Sequence, residues 1–271
     1  MGHGKLKKFA ENLGFHCLLQ PSAADVLVKE EGLRELKLRF HPIRGNWNRD
    51  MFEKPAPIVL ELGCGKGDYT IALAKRHPEM NFIGVDIKGA RLWSGAKTAT
   101  GEALPNVAFL RTRVEFLEAF FAPGEVSAIW LTFSDPQLHG SENARLSSHM
   151  FLERYRKFLS EDAVIHLKTD SRFLHEYTMS VIRANRLKVL ALGTDIYGTG
   201  LTVRPENEEG WDLDAVFQVQ TFYEKMFLQM GLPITYLAFS PAHEGPYVPA
   251  ADFDKDYWLE AEGPRRSFSH Q

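Results

Sequence analysis

The stretch "PIVLELGCGKGDYTIALAKRHP", residues 57–78, runs from an apolar strand through three glycines into a helix that Pro78 closes. A strand that empties into a glycine turn and then a helix is the opening βα unit of a nucleotide-type sheet. Gly63, Gly65 and Gly67 permit positive φ and let a ligand approach the backbone. The helix behind them presents unpaired N–H groups. The alternation continues down the chain. "NFIGVDI" (81–87), "NVAFLRT" (106–112), "SAIWLTF" (127–133) and "AVIHLKT" (163–169) read as strands. Residues 89–104, 115–124, 148–160 and 171–185 read as the helices between and after them. Strands and helices of this length imply a parallel sheet covered on both faces, and right-handed crossovers make it doubly wound.

Residues 1–55 lack the alternation and hold Pro21 and Pro42 before closing on Pro55. They read as an N-terminal extension with one helix near residues 5–13. The α/β domain then covers 56–240, with a last helix near 223–231 and a last strand at 234–239. An acidic tail, 241–271, follows.

The chain has 271 residues, 44% of them hydrophobic and 25% charged, the balance of a globular protein. No apolar run approaches a membrane span, and the N-terminus has no apolar signal region. Cys17 and Cys64 are the two cysteines, without metal-ligand spacing. They fit a reducing cytoplasm, with no metal and no membrane partner. The net charge is −3 but uneven: residues 1–135 carry 18 Lys/Arg against 16 Asp/Glu, and the remainder 14 against 19. A basic stretch at residues 33–49 gathers Arg34, Lys37, Arg39, Arg44 and Arg49. Such a cluster is a solvated face or a seat for a polyanion.

In open α/β sheets ligands bind outside the carboxyl ends of the strands. Those ends carry Glu61, Asp86, Arg113, Asp135 and Asp170, four acids and one base. Asp86 lies 19 residues beyond Gly67, where an acid can hold ribose hydroxyls. The dinucleotide fingerprint is GxGxxG; here the spacing is GxGxG, with Asp68 where the third glycine would fall. Glu61 precedes the turn. An acid there does little for a pyrophosphate and favours a cation, so S-adenosyl-L-methionine, with its sulfonium and ammonium, suits the turn better than a nicotinamide dinucleotide.

"ELGCGKG" resembles the first motif of class I S-adenosylmethionine-dependent methyltransferases, which implies a Rossmann-like, mostly parallel sheet. Later segments narrow the likeness: "NFIGVDIKGARLW", "IWLTFSDPQL", "HLKTDSRFLHEYT" and "QTFYEKMFLQMGLPITYLAF", in this order. Together they resemble the bacterial tRNA (guanine-N7-)-methyltransferase family, in its Bacteroidetes-like form, from about residue 5 to 239. The resemblance implies methyl transfer to N7 of a guanine in the variable loop of tRNA. It places Glu61, Gly63, Gly65, Asp86, Arg113 and Asp135 at the cofactor and makes Asp135 the catalytic candidate. His139, Asp170, Thr221 and Glu224 become the substrate-binding candidates, the last two within a T-x-[FY]-E segment. Arg113 stands where many members have an acid or amide near the adenine. The family's F-P-D-P loop reads "FSDP" here, and residues 139–144 lack the basic cluster that usually follows. Only Arg145 remains nearby.

Guanine N7 carries a lone pair and no proton, so no general base is needed, in keeping with a site of acids and no triad. The N7 edge faces the major groove, which is too narrow to enter in A-form RNA, so the target must lie in a loop. Arg34, Lys37, Arg39 and Arg44 would meet phosphates. Trp93, Phe120, Phe121 and Trp130 read as core, and His166 as a satisfied core histidine. Trp47, Trp211 and Trp258 read as packed loop residues, with base stacking as the alternative. Two other functions fit: a non-catalytic homologue that has lost its basic loop, and a methyltransferase for a small molecule. The chain reads as a monomer or homodimer.

Overall fold

The computed structural model describes residues 3–29, 36–205 and 213–263. In chain order its strands are β1 (Leu18–Leu19), β2 (Leu27–Lys29), β3 (Leu36–Leu38), β4 (Ile58–Leu62), β5 (Asn81–Asp86), β6 (Val107–Arg111), β7 (Val126–Thr132), β8 (Leu159–Thr169), β9 (Val189–Gly193) and β10 (Thr235–Phe239). Its helices are α1 (His3–Asn12), α2 (Ala23–Val26), α3 (Trp47–Asp50), α4 (Asp68–Arg76), α5 (Gly89–Gly101), α6 (His149–Tyr155), α7 (Arg172–Ala184), α8 (Leu213–Gln218), α9 (Phe222–Gln229) and α10 (Lys255–Glu262). Eight strands form one sheet in the order β1-β6-β5-β4-β7-β8-β10-β9, while β2 and β3 pair separately. β10 runs antiparallel to both neighbours; the other recorded pairings in this sheet are parallel. The expected doubly wound, mostly parallel architecture is borne out.

Strand periodicity sorts side chains onto two faces. From β4, Ile58, Leu60 and Leu62 enter one core with α6 and α7, while Val59 enters the other with α4 and α5. β6 divides likewise, Ala108 and Leu110 to the first core, Val107 and Phe109 to the second. The order reverses between β4 and β7, so the strand ends on either side splay apart and open a crevice there.

The described segments that flank the sheet are built into this body. Leu18 and Leu19 extend the sheet beside β6. Val26, Ile43, Trp47 and Phe52 join the first core and cover its face beside a 3-10 turn at Val114–Ala119. Trp47 is fully buried, stacks on Phe121 and donates its indole N–H to the Phe120 carbonyl at 2.9 Å. It is therefore closed to base stacking. Residues 241–263 fold back over α6 and α7. Arg156 holds the carbonyls of His243 and Gly245, Asp252 pairs with Arg183 at 2.8 Å, and Phe253 meets the rings of Phe173 and Tyr177. Trp258, on α10, lies beneath the Arg172 guanidinium. The expectations for Arg34 and Trp211 fall outside the described residues.

The glycine turn is seated on one ring. Phe109 is fully buried, and Gly67, Gly84 and Gly95 crowd it from three sides. A Cβ on Gly95 would stand 2.5 Å from that ring and 2.8 Å from the Lys66 carbonyl. α5 can thus approach the turn only because this residue has no side chain. Gly95→Ala should destabilise the protein by about 1–3 kcal/mol through overpacking. That corresponds to a fall of roughly 2–10 °C in melting temperature. An unchanged thermal unfolding curve would contradict the close approach.

Candidate active site

The site is assembled from strand tips around the buried carboxyl of Glu61. One oxygen accepts from the Thr70 amide at 2.8 Å and from the Thr70 hydroxyl; the other accepts from Thr132 Oγ1 at 2.5 Å. Burial raises the Glu61 pKa to about 7, against the lowering effect of these hydrogen bonds. A cation arriving beside it would favour the ionised form. Glu61 thereby ties the start of α4 to the tip of β7. Asp86 does the same for the glycine turn: Oδ2 accepts from Gly65 N at 3.0 Å, and Oδ1 from Lys88 N at 2.7 Å. Each oxygen keeps a lone pair for a ribose hydroxyl.

Three adjoining recesses meet at Gly63. The inner one is lined by Glu61, Gly65, Asp68, Tyr69, Thr132 and Thr221. The second and widest brings together Asp86, Asp135, His139, Asp170 and Tyr223. The third lies between Asp86 and Ile87 on one side and Thr112, Arg113 and Val114 on the other. Gly63 and Gly65 have φ of +76° and +59°, and a Cβ on either would project into open space. The glycines keep the floor of the crevice clear. An elongated ligand with a cationic end, a ribose and a flat base fits this track, with acids at the inner recess, Asp86 in the middle and exposed Ile87 at the outer end.

The β7 tip is held in an unusual path. Phe133 and Gln137 have φ of +49° and +50°, left-handed values on either side of Ser134, Asp135 and Pro136. Asp135 is exposed to the crevice, and its Oδ1 accepts from Gln137 N at 2.9 Å. Arg145 fixes the loop from below. It is buried, donates to the carbonyls of Pro136 at 3.0 Å and Gln137 at 3.2 Å, and lies over the rings of Phe173 and Tyr177. The last cation of the expected basic loop is therefore a structural brace.

The family model described as "Putative methyltransferase" matches residues 55–231, more than half of the chain. A tRNA (guanine-N(7)-)-methyltransferase of Christiangramia forsetii is 44% identical over 236 residues, 87% of this chain and 96% of that protein. The protein of that name from Porphyromonas gingivalis is 49% identical over 198 residues, 73% of this chain and 77% of its own.

The chain belongs to the tRNA (guanine-N(7)-)-methyltransferase family.

Of the residues expected at the site of this methyltransferase, Glu61, Gly63, Gly65, Asp86, Arg113, Asp135, His139, Asp170 and Thr221 line the crevice. The Arg113 side chain is engaged by Glu115 at 2.9 Å. Glu224 is placed elsewhere. It is fully buried and pairs with Lys168 at 2.7 Å, and the Tyr197 hydroxyl donates to it at the same distance. Lys168 also donates to the carbonyls of Val216 and Val219. Burial pulls the Lys168 pKa down against the raising effect of Glu224. This pair joins the end of β8, which carries Asp170, to the first turn of α9, where Thr221 caps the helix by accepting from Glu224 N. In the same turn Phe222 and Tyr223 stand exposed over the crevice.

Sequence reasoning missed Lys168, Tyr197 and Ile87. A lysine in the strand run "VIHLKT" was the available signal for a buried pair, since a core strand tolerates one only with a partner. His166 is satisfied as expected, though half-buried: it stacks on Trp130, meets the Tyr236 hydroxyl at 2.8 Å, and desolvation lowers its pKa to about 3. Trp93 differs from expectation. It is half-buried between Lys8 and Lys97, with its N–H donated to Glu11.

Removing one partner of a buried pair strands the other charge. Lys168→Met should therefore cost about 3–5 kcal/mol in urea unfolding, and Lys168→Met/Glu224→Met should recover most of it. A single variant losing under about 1 kcal/mol, the range of an exposed pair, would show that the pair is solvated.

Proposed function

We propose that this protein transfers the methyl group of S-adenosyl-L-methionine to N7 of a guanine in the variable loop of tRNA, in the cytoplasm. The observation that carries the reading is the convergence of Asp86, Asp135 and Asp170, from three strand tips, on one crevice floored by Gly63. Family membership gives the reaction class, and the lining of the crevice supports the residue roles. Glu61, Gly63, Gly65 and Asp86 would hold the donor, with Ile87 and the backbone around Arg113 at its base. Bound there, S-adenosylmethionine supplies a methyl group on a sulfonium, which the N7 lone pair takes directly with loss of the thioether, so no proton is removed.

The chain then has two tasks. It holds the base against the methyl group, a positioning role worth several kcal/mol in general. It also opposes the positive charge that develops on the imidazole ring of guanine. A carboxylate about 4 Å from such a charge contributes about 4 kcal/mol at an effective dielectric constant of 20. Asp135 is placed for this by the two left-handed residues and by Arg145, while Asp170 faces the base across the same crevice. Exposed Tyr223 offers a ring on which the flipped base can stack. Thr221 positions that ring as the cap of α9.

Purified protein should methylate an unmodified tRNA transcript, and chemical cleavage at 7-methylguanosine should map to the variable loop. Cofactor binding without any methyl incorporation would overturn the reading in favour of a non-catalytic homologue. Asp135→Asn preserves the acceptor for Gln137 N and removes the charge. It should lower turnover at least about tenfold, equivalent to a loss of roughly 1.4 kcal/mol of transition-state stabilisation. Unchanged turnover would remove the electrostatic role.

A further inference from the structure

A tRNA methyltransferase must hold a polyanion over its crevice, and among the described residues Arg39, Arg44 and Arg145 are engaged elsewhere. No Lys or Arg occurs between Pro136 and Ala144, and Arg145 is buried against the loop backbone. Arg44 donates to the Glu118 carbonyl and covers the Phe40 ring; Arg39 donates to the carbonyls of Ala24 and Asp25. Their segment is moored at the amino ends of the central strands, through Asn48 to Ala56 and Asn81, and through Gly45 to Glu125. Arg49 therefore sits at the end of the sheet opposite the crevice.

Two cations line the widest recess, both from the β5–α5 corner; Lys66 borders the inner recess beside the Phe222 ring, and Arg113 borders the outer one, paired with Glu115. Lys88 is the residue before α5 and Arg91 the third residue within it. Both are exposed, and both share the widest recess with Asp135 and Asp170. Among the described residues neither has a carboxylate partner. Two unpaired cations held at a crevice that also presents acids are placed for an anion brought by a ligand. The N7 edge of a nucleotide lies on the side of its phosphate, so acids that meet the base and cations that meet its backbone belong in one crevice.

We propose that Lys88 and Arg91 form the phosphate-binding fork of this enzyme, seating the RNA backbone beside the target guanine in place of the missing basic loop. The proposal rests on the function argued above and adds the surface by which the substrate is held. Arg91 also borders the inner recess, where the carboxylate of the methyl donor is the competing anion.

The test uses the full-length protein and an unmodified tRNA transcript. Binding is measured between 50 and 200 mM KCl for wild type, Lys88→Gln/Arg91→Gln and Arg49→Gln. Affinity for S-adenosylmethionine is measured in parallel by calorimetry. The double variant should bind tRNA at least about tenfold more weakly, and its log–log salt slope should fall by about 1.4, or about 0.7 per lost phosphate contact. Its cofactor affinity should stay within about twofold, since phosphate contacts position RNA alone. Arg49→Gln should match wild type. Wild-type tRNA affinity and salt slope in the double variant, with methyl transfer intact in the parent, would overturn the fork and leave the function standing. A loss confined to cofactor affinity would overturn it by assigning Arg91 to the donor's carboxylate. A parent protein that binds no tRNA would remove both the function and the fork.

Discussion

The Glu61 carboxyl is the constraint on which the site depends. It leaves the central strand β4 and accepts from Thr70 at the start of α4 and Thr132 at the tip of β7. Those two elements flank the switch in strand order, where a doubly wound sheet opens. Burying an acid is costly, and the rise of its pKa to about 7 records the cost. The three hydrogen bonds offset it and also fix where the glycine turn begins and where β7 ends. From Thr132 the chain takes its left-handed step at Phe133 and delivers Asp135. The glycine turn and the β7 tip are thus set by one side chain.

A second layer of buried charge supports the other wall of the crevice. Lys168 and Glu224 connect β8 to α9, and Arg145 connects the Asp135 loop to the rings of α7. Neither side chain of the Lys168–Glu224 pair opens to the crevice; what they position are Asp170, Thr221 and Tyr223, which do. Glu142 extends the brace to the segment after β10, accepting from Tyr177 OH and from Ala250 N. The acids of the last segment are spent partly on docking, as Asp252 and Glu262 show. Local sequence marks such residues as charged; only packing shows whether the charge meets a ligand or holds a ligand-binding residue in place.

The fold was legible because its signals are local and repeated. Strand runs of five to eleven residues, a glycine turn and helix stops recur from residue 57 onward, and the acids at strand tips follow from that reading. The N-terminal segment was illegible for the converse reason. β1 has two residues and β2 and β3 have three, too short for a period, and Trp47 is buried by distant contacts with Phe120 and Phe121. The basic stretch at residues 33–49 looked like an RNA surface because spacing says nothing about which end of a sheet a loop reaches. Glu224 was assigned by motif to the substrate, whereas its partner lies 56 positions earlier, at Lys168.

As proposed, the crevice presents guanine N7 itself to the methyl donor, with no proton transfer. The most direct measurement replaces the variable-loop guanosine of a tRNA transcript with 7-deazaguanosine, which has a C–H in place of N7. The account predicts that this tRNA binds as tightly as the ordinary transcript and accepts no methyl group. Methyl transfer to it at the ordinary rate would contradict the account.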